Sequence, residues 1–144
     1  MDKNNDSLKL ERQLCFPLYA CAREVTKLYK PVLDPLGLTY TQYLAMIIMW
    51  EHNETTIKEM GELLYLDSGT LSPLIKKLKA KGLIKKTICD EDERSSILSL
   101  TEEGVQLREK ALNIPSKLAT RIPLDENEAK QLYTLLYKMI DSFK

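Results

Sequence analysis

The side chains that can carry chemistry in this sequence are few, and its thiols are the most reactive of them. The chain of 144 residues contains three cysteines, Cys15, Cys21 and Cys89, and a single histidine, His52. No two cysteines have the close spacing of structural zinc sites, so we expect no metal ion and no cofactor. An odd number of cysteines also argues against a disulfide framework. By residue type alone, Cys15 in an apolar helix is more often an inert core residue than a nucleophile.

A run of lysines is the second group with chemical potential. Six lysines and no acid lie between positions 76 and 86, and four acids occupy positions 90–93. The six are Lys76, Lys77, Lys79, Lys81, Lys85 and Lys86. A formal net charge of zero argues weakly against nucleic-acid binding, but the distribution of charge matters more than its sum. From the charges alone, a solvated helix face is the more ordinary explanation.

Caps, glycines and prolines divide the chain into helices and one hairpin. The predicted elements are helices over about 7–33, 40–50, 56–64 and 68–81, strands over 83–88 and 95–100, and helices opening at Thr101 and after Asp125. Pro17 either kinks the first helix or marks a late start. Pro73 is expected close to the first turn of its helix, where a missing amide hydrogen costs little. Pro115 is expected to break or bend the helix that opens at Thr101.

The order of these elements predicts a fold class. A short helix, a tight turn and a second helix form a helix-turn-helix, and a hairpin directly after it is a wing. We therefore expect a mainly α protein with a small β-hairpin wing, a winged helix-turn-helix in a single domain over 1–144. The winged lobe should span about 39–100, and the helices over about 7–36 and 101–144 should form a homodimer.

The last helix supplies the reason to expect that dimer. Its apolar residues form one stripe that needs a partner surface: Leu132, Leu135, Leu136, Met139, Ile140 and Phe143. A second copy would supply that surface, although the terminal helices could instead pack on their own lobe. A two-fold dimer places two recognition helices about one DNA turn apart, which suits a pseudo-palindromic double-stranded operator.

The second helix of the motif is the candidate recognition helix. Its small and hydroxyl-bearing residues allow close approach to base edges, its lysines suit phosphates, and an arginine at the hairpin tip can enter the minor groove. The residues expected to contact DNA are Ser68, Gly69, Thr70, Ser72, Pro73, Lys76, Lys77, Asp92 and Arg94, and Lys79 and Lys81 also suit phosphate contact. Asp92 would orient Arg94. Alternatively, Arg94 is an exposed turn residue and Ser72-Pro73 is simple helix-start chemistry.

Composition limits the remaining classes of function. Hydrophobic residues make up 44% and charged residues 29% of the chain, which is ordinary for a globular protein. No uninterrupted apolar stretch is long enough to span a membrane, and the N-terminal residues are polar rather than a signal peptide. We therefore expect a cytoplasmic protein without membrane contact. No catalytic constellation is present, so we do not expect an enzyme.

Several motifs together resemble the MarR family of regulators. Residues 64–73, 82–84, 90–95 and 100–104 carry its general marks, which include an Asp-x-Arg wing and a Leu-Thr-x-x-Gly joint. Residues 13–16, 18–20, 26–31 and 36–44 look like its organic-hydroperoxide-sensing (OhrR-like) repressors. The resemblance covers nearly the whole chain and is weakest after about residue 113.

The resemblance implies a thiol switch. Cys15 would be the peroxide-reactive cysteine of a winged-helix dimer that represses peroxide-resistance genes and leaves its operator when an organic hydroperoxide oxidises it. Tyr29 and Tyr40 from the partner subunit would hydrogen-bond to its sulfur, with Tyr19 assisting. Oxidation gives a sulfenic acid, and a shift of helices follows. Because no cysteine follows Cys89, the sulfenate would be trapped by a low-molecular-weight thiol as a mixed disulfide, or over-oxidised.

Three other functions fit parts of the same pattern. A MarR-type regulator controlled by a small aromatic ligand, with Cys15 inert, would keep its DNA affinity after peroxide treatment, and a broader redox or global regulator is a close variant. A thiol peroxidase would need sustained turnover. A winged-helix lobe used only for protein contacts would show no salt-dependent DNA binding.

Overall fold

The computed structural model describes residues 6–88 and 95–144. The helices are α1 Cys15–Leu33, α2 Tyr40–His52, α3 Ile57–Leu64, α4 Ser68–Ala80, α5 Glu102–Ala111, α6 Ile114–Ala119 and α7 Glu126–Ser142, and the strands are β1 Glu54–Thr56, β2 Ile84–Thr87 and β3 Ile97–Leu100. Two short 3-10 turns, Leu10–Arg12 and Asp34–Leu36, flank α1. The predicted class, mainly helical with a winged helix-turn-helix, is confirmed. Cys89, Asp92 and Arg94 lie outside the described residues.

Capping boxes begin α2 and α3, as the sequence predicts. The Thr39 hydroxyl accepts from the Gln42 amide at 3.3 Å, and the Gln42 side chain accepts from the Thr39 amide at 3.0 Å. Thr56 and Glu59 make the equivalent pair at 3.1 and 3.2 Å. Each box satisfies amide donors that a helix start leaves without intrahelical partners, so both helix starts can be read from local sequence.

The start of α4 corrects the prediction for Pro73. The Asp67 carboxylate accepts from the Thr70 amide at 2.8 Å, which fixes Ser68 as the first helical residue. Pro73 is then the sixth residue and lies in the second turn, not near the first. Its missing amide hydrogen leaves the Gly69 carbonyl without the usual i+4 bond.

The first helix also starts later than its predicted range. Residues Leu10–Arg12 form a separate turn, and α1 begins at Cys15, so Pro17 marks a late start at the third helical residue. Pro31 lies inside the last turn of α1, and the helix continues to Leu33.

The wing belongs to a three-stranded antiparallel sheet of order β1-β3-β2. Leu98 in the central strand pairs with Thr55 on one side and Lys86 on the other. The hairpin is confirmed, although each strand is shorter than predicted. Strand β1 was not predicted, because three residues are too few to show a period-two pattern.

The chain divides into two compact units, Met1–Asn113 and Ile114–Lys144. The core of the first unit is built from α2, α3, α4 and β3, and its fully buried residues include Met46, Met49, Met60, Leu71, Leu78 and Leu98. In the second unit, Ile114 and Leu118 of α6 are buried, whereas α7 buries none of its seventeen residues. Among the helices of residues 6–88 and 95–144, none combines the length and the hydropathy of a membrane-spanning segment.

Candidate nucleic-acid interface and thiol site

Helix α4 presents two chemically different faces. Leu71, Leu74, Ile75 and Leu78 are buried in the core of the first unit. The opposite face is exposed and carries the residues predicted to contact DNA: Ser68, Gly69, Thr70, Ser72, Pro73, Lys76 and Lys77. Because the apolar face anchors the helix, these side chains share one solvent-facing surface. Their contact with DNA stays a prediction, as do the contacts of Asp92 and Arg94.

A basic cleft of about 290 Å³ lies beside this exposed face. Its lining residues are Ile57, Ser72, Ile75, Lys76, Lys79 and Lys86. The sheet therefore places Lys86 of β2 near two lysines of α4. The order of the lysines in the sequence could not show this proximity. Lysines therefore make up half of the residues that line this cleft, a composition that suits a phosphate of the DNA backbone.

Lys81, which the sequence also offers for phosphate contact, has acceptors within the protein, and its contact with phosphate stays a prediction. Its Nζ donates to the Gly37 carbonyl oxygen and, at 3.0 Å, to Gln42 Oε1. The ammonium of Lys81 is thus bound to the protein itself, at the turn that precedes α2.

Asp67 caps the start of α4 with its side-chain carboxylate. The amide hydrogen of Thr70 donates to its carboxylate and holds the pKa of Asp67 below its usual value of 3.8. The carboxylate is therefore ionised at neutral pH. Its negative charge interacts favourably with the positive N-terminal end of α4, the helix that carries the candidate DNA contacts.

Cys15 is exposed and is the first residue of α1. Among the described residues, no side chain makes a cap bond at the N-cap position, Leu14. The neighbouring Leu14, Phe16 and Leu18 are exposed apolar side chains, which suits an organic oxidant.

Tyr29 of α1 and Tyr40 of α2 form a pair of phenols, with ring centroids 4.6 Å apart. Both line a pocket of about 260 Å³. Burial, and then the neighbouring Tyr29, raise the pKa of Tyr40 above 10.0. The hydroxyl of Tyr40 therefore stays protonated at neutral pH and can donate a hydrogen bond to an anionic sulfur.

The structure does not bring Cys15 to this phenol pair within one chain. Cys15 and Tyr29 lie fourteen positions apart in the same helix, α1, which is about 21 Å along a helix axis. Tyr19 lies one turn from Cys15, is 63% exposed, and stacks under the Arg23 guanidinium at 5.5 Å. A hydrogen bond between the Cys15 sulfur and Tyr29 therefore needs a second chain.

Two residues of this region were not singled out from the sequence. Tyr43 lies 5.8 Å from Tyr29 and 6.5 Å from Trp50, measured between ring centroids, so it extends the aromatic cluster into the core. Gln42 is the second, because the capping-box form of Thr39-Tyr40-Thr41-Gln42 indicates only a helix start. The position of Tyr43 three residues after Tyr40 on one helix is the signal that could have indicated a shared face.

Comparisons with known proteins identify the family of this chain. The family model described as transcriptional regulator SarA/Rot matches residues 27–111. The organic hydroperoxide resistance transcriptional regulator of Bacillus subtilis (strain 168) is 49% identical over 142 residues, covering 99% of this chain and 97% of that protein. The HTH-type transcriptional regulator MgrA of Staphylococcus aureus is 35% identical, covering 96% and 95%.

The similarity to known regulators also holds for the three-dimensional structure. Reduced AbfR bound to DNA has a TM-score of 0.78 and 30% identity, with 98% of each chain covered; AbfR comes from Staphylococcus epidermidis. The predicted family, and the prediction of a regulator rather than an enzyme, are confirmed. This chain belongs to the SarA/MarR-type winged-helix transcriptional regulators.

Proposed function

We propose that this protein is a dimeric, cytoplasmic repressor that leaves operator DNA when an organic hydroperoxide oxidises Cys15. The observation that carries the proposal is the pairing of Tyr29 and Tyr40 in a pocket that the Cys15 of the same chain cannot reach. An exposed thiol at one end of α1 and two phenols at its other end form a complete site only between two copies.

The unburied terminal helices support the same dimer. Helix α1 buries one of its nineteen residues and α7 buries none of its seventeen. Both nevertheless carry exposed large apolar side chains, such as Leu18, Leu132 and Leu135. We therefore assign residues 7–36 and 101–144 to dimerisation and about 39–100 to the DNA-binding lobe.

The chemistry of release begins with the Cys15 thiolate. It attacks the terminal oxygen of the hydroperoxide, the O–O bond breaks, and the alkoxide leaves and takes up a proton to become an alcohol. The sulfur is oxidised by two electrons to a sulfenic acid. A low-molecular-weight thiol then forms a mixed disulfide and water leaves. Either product changes what the phenols of Tyr29 and Tyr40 can bond to, which biases the arrangement of the helices.

The related AbfR shows which oxidation states a similar regulator can adopt. Its structures include reduced and overoxidised forms bound to DNA and a disulfide form. In this chain Cys21 lies six positions from Cys15 on the same helix, about 9 Å along the axis, and cannot form an intrahelical bridge. A mixed disulfide with a small thiol is therefore the release-competent product that we propose.

DNA contact would come from the exposed face of α4 and from the wing. Ser68, Gly69, Thr70, Ser72 and Pro73 approach base edges, Lys76 and Lys77 bind phosphates, and Arg94, oriented by Asp92, enters the minor groove. Two such lobes match a pseudo-palindromic operator. Binding weakens steeply with salt, because each neutralised phosphate releases counterions.

The direct test compares three proteins on a DNA fragment selected by the reduced protein from a random pool. Wild type, Cys15→Ser and the matched control Cys21→Ser are measured before and after one equivalent of cumene hydroperoxide with a small thiol. We expect affinity to fall about a hundredfold in wild type and Cys21→Ser, to persist in Cys15→Ser, and to return with dithiothreitol. Unchanged affinity in all three would contradict the thiol switch and favour a regulator of small aromatic ligands.

A mixed dimer tests whether the site spans two chains. One subunit carries Cys15→Ser, and the other carries Tyr29→Phe with Tyr40→Phe. If the site is shared, the wild-type thiol of the second subunit faces the wild-type phenols of the first, and one working site remains. If the site lies within one chain, the mixed dimer has none. Peroxide reactivity of the mixed dimer, compared with both homodimers, separates the two arrangements.

A further inference from the structure

Lys81 links the end of α4 to the start of α2, over a sequence separation of 39 residues from Gln42. Building on the proposed thiol switch, we propose that Lys81 is a positioning residue that couples the phenol pair to the DNA-reading helix. The inference rests on the hydrogen bonds around three groups: the Lys81 ammonium, the Gln42 amide and the Gly37 carbonyl.

The Gln42 side chain is the buried centre of this link. Gln42 is 3% exposed, and its Oε1 accepts from the Thr39 amide and from Lys81 Nζ, each at 3.0 Å. One oxygen thus serves both the capping box of α2 and the end of α4. Tyr40 is the residue that directly follows the cap, so the phenol and the link share the same first turn of α2.

The second acceptor of Lys81 fixes the turn between α1 and α2. Gly37 has a φ of +70°, a left-handed conformation suited to glycine, and its amide closes the 3-10 turn onto the Asp34 carbonyl at 3.0 Å. Its own carbonyl oxygen accepts from Lys81 Nζ. This turn joins the helix that carries Tyr29 to the helix that carries Tyr40.

The other end of the link is the last turn of α4. Lys81 is the C-cap residue of that helix, and its amide donates to the Lys77 carbonyl at 3.1 Å. Gly82 then turns the chain with a φ of +74°. A displacement of the turn at Gly37 must therefore either break the bonds of the Lys81 ammonium or move the end of α4 with it.

The link gives oxidation of Cys15 a physical route to DNA. When the phenols change their hydrogen bonds, the first turn of α2 shifts, and Lys81 transmits that shift to α4. The coupling is a difference in free energy between two states, so it is measured as the ratio of dissociation constants for DNA in the oxidised and reduced proteins. If the Lys81 ammonium is removed, the oxidised protein should keep more of the DNA affinity that the reduced protein has.

The experiment compares Lys81→Met, which keeps an unbranched apolar stem, with Lys76→Met, an exposed lysine of the same helix. Both are measured on the selected DNA fragment, reduced and oxidised, over a range of salt concentrations. We expect Lys81→Met to lower the oxidised-to-reduced ratio about tenfold and to leave the slope of log affinity against log salt unchanged. We expect Lys76→Met to leave the ratio unchanged and to lower the slope by about 1.

Two further variants guard against a simple folding defect. Gln42→Glu keeps an acceptor for both donors and turns the bond to Lys81 into an ion pair, so the ratio should be retained or rise. In the double variant that combines Gln42→Glu with Lys81→Met, the ratio should equal that of Lys81→Met alone. Thermal unfolding of each reduced protein checks that it is folded.

Three outcomes would overturn the proposal. A folded Lys81→Met protein with the wild-type ratio would show that the link carries no coupling. A reduced salt slope in Lys81→Met would show that its ammonium binds phosphate instead. If wild type itself binds DNA but is not released by peroxide, the thiol switch fails, and the coupling fails with it; that case is recognised without any variant.

Discussion

Helix α2 and helix α1 are neighbours in sequence but differ in where they bury their side chains. Six of the thirteen residues of α2 are buried, including Met46 and Met49, whereas α1 buries one of nineteen. Helix α7, in the second unit, buries none of seventeen. The winged lobe therefore meets its need for a core within one chain, and the terminal helices do not.

This difference is the one expected if the terminal helices, and not the lobe, pack against a partner in the proposed dimer. A helix with an unburied apolar stripe gains most of its stability from packing. If α1 and α7 gain it from a second copy, their variants should act on association, whereas variants of the lobe should act on the fold itself. The phenol pair lies at the boundary, because Tyr29 belongs to α1 and Tyr40 to α2.

The largest effect is expected inside the lobe. Leu78 of α4 is fully buried, and Leu78→Ala should lower the free energy of unfolding by about 3 kcal/mol, because it removes apolar contacts and leaves a cavity. Urea unfolding at several protein concentrations measures it. The loss should be the same at each concentration; a loss that disappears at high concentration would mean that the lobe also depends on its partner.

Gly104 should show the next largest effect, through a close approach of α5 to the sheet. A Cβ at this position would collide with the Leu83 carbonyl oxygen and come within 2.9 Å of Leu100 Cδ2. Gly104→Ala should therefore cost about 2 kcal/mol. Trp50 donates to the Gly104 carbonyl at 2.8 Å, so its fluorescence should change as well.

Gly69→Ala is the matched control for that prediction. A Cβ on Gly69 would meet only Asp67 Oδ1, at 3.5 Å, and alanine favours a helix over glycine by about 1 kcal/mol. Gly69→Ala should leave the protein as stable or more stable. A large loss in this variant, or none in Gly104→Ala, would show that the close approach at Gly104 does not control stability.

Variants of the terminal helices should weaken the association of two chains rather than the fold of the lobe. Leu135 of α7 is 58% exposed, and Leu135→Lys should raise the dimer dissociation constant at least about tenfold, because it places a charge in the proposed interface. Sedimentation at a series of concentrations measures it, with Lys138→Met on the same helix as a control for the change in charge. A dimer that survives Leu135→Lys unchanged would exclude this face from the interface.

The sequence predicted the lobe better than the site, for a physical reason. Caps such as Thr39 with Gln42 are local, so a few residues suffice to predict where a helix begins. Strand β1 is too short for a periodic pattern, and the bond from Lys81 to Gln42 joins residues far apart in sequence. The Leu-Thr-x-x-Gly motif was recognised, but the reason for its glycine is a contact with Leu83 that only the fold reveals.

A smaller effect should appear at high pH. Burial, and then the neighbouring Tyr29 and Tyr40, raise the pKa of Tyr43 above 10.0. The folded protein therefore holds this proton more tightly than the unfolded chain, and the free energy of unfolding falls as the pH rises above about 10. Urea unfolding near pH 9 and near pH 11 should show a smaller fall in Tyr43→Phe than in wild type. If the free energy of unfolding falls equally in Tyr43→Phe and wild type, groups other than Tyr43 are responsible for the fall.

The smallest effect is expected at a buried polar group of the lobe. Ser96 is fully buried, and its hydroxyl has no hydrogen-bond partner among the described residues. Ser96→Ala removes a desolvated hydroxyl without opening a cavity, so the free energy of unfolding should change by less than about 0.5 kcal/mol or rise. Thr55→Val is the control, because the buried Thr55 hydroxyl bonds Glu59 at 3.1 Å and its loss should cost about 1 kcal/mol. If Ser96→Ala costs as much as Thr55→Val, the Ser96 hydroxyl itself stabilises the core, which would contradict this prediction.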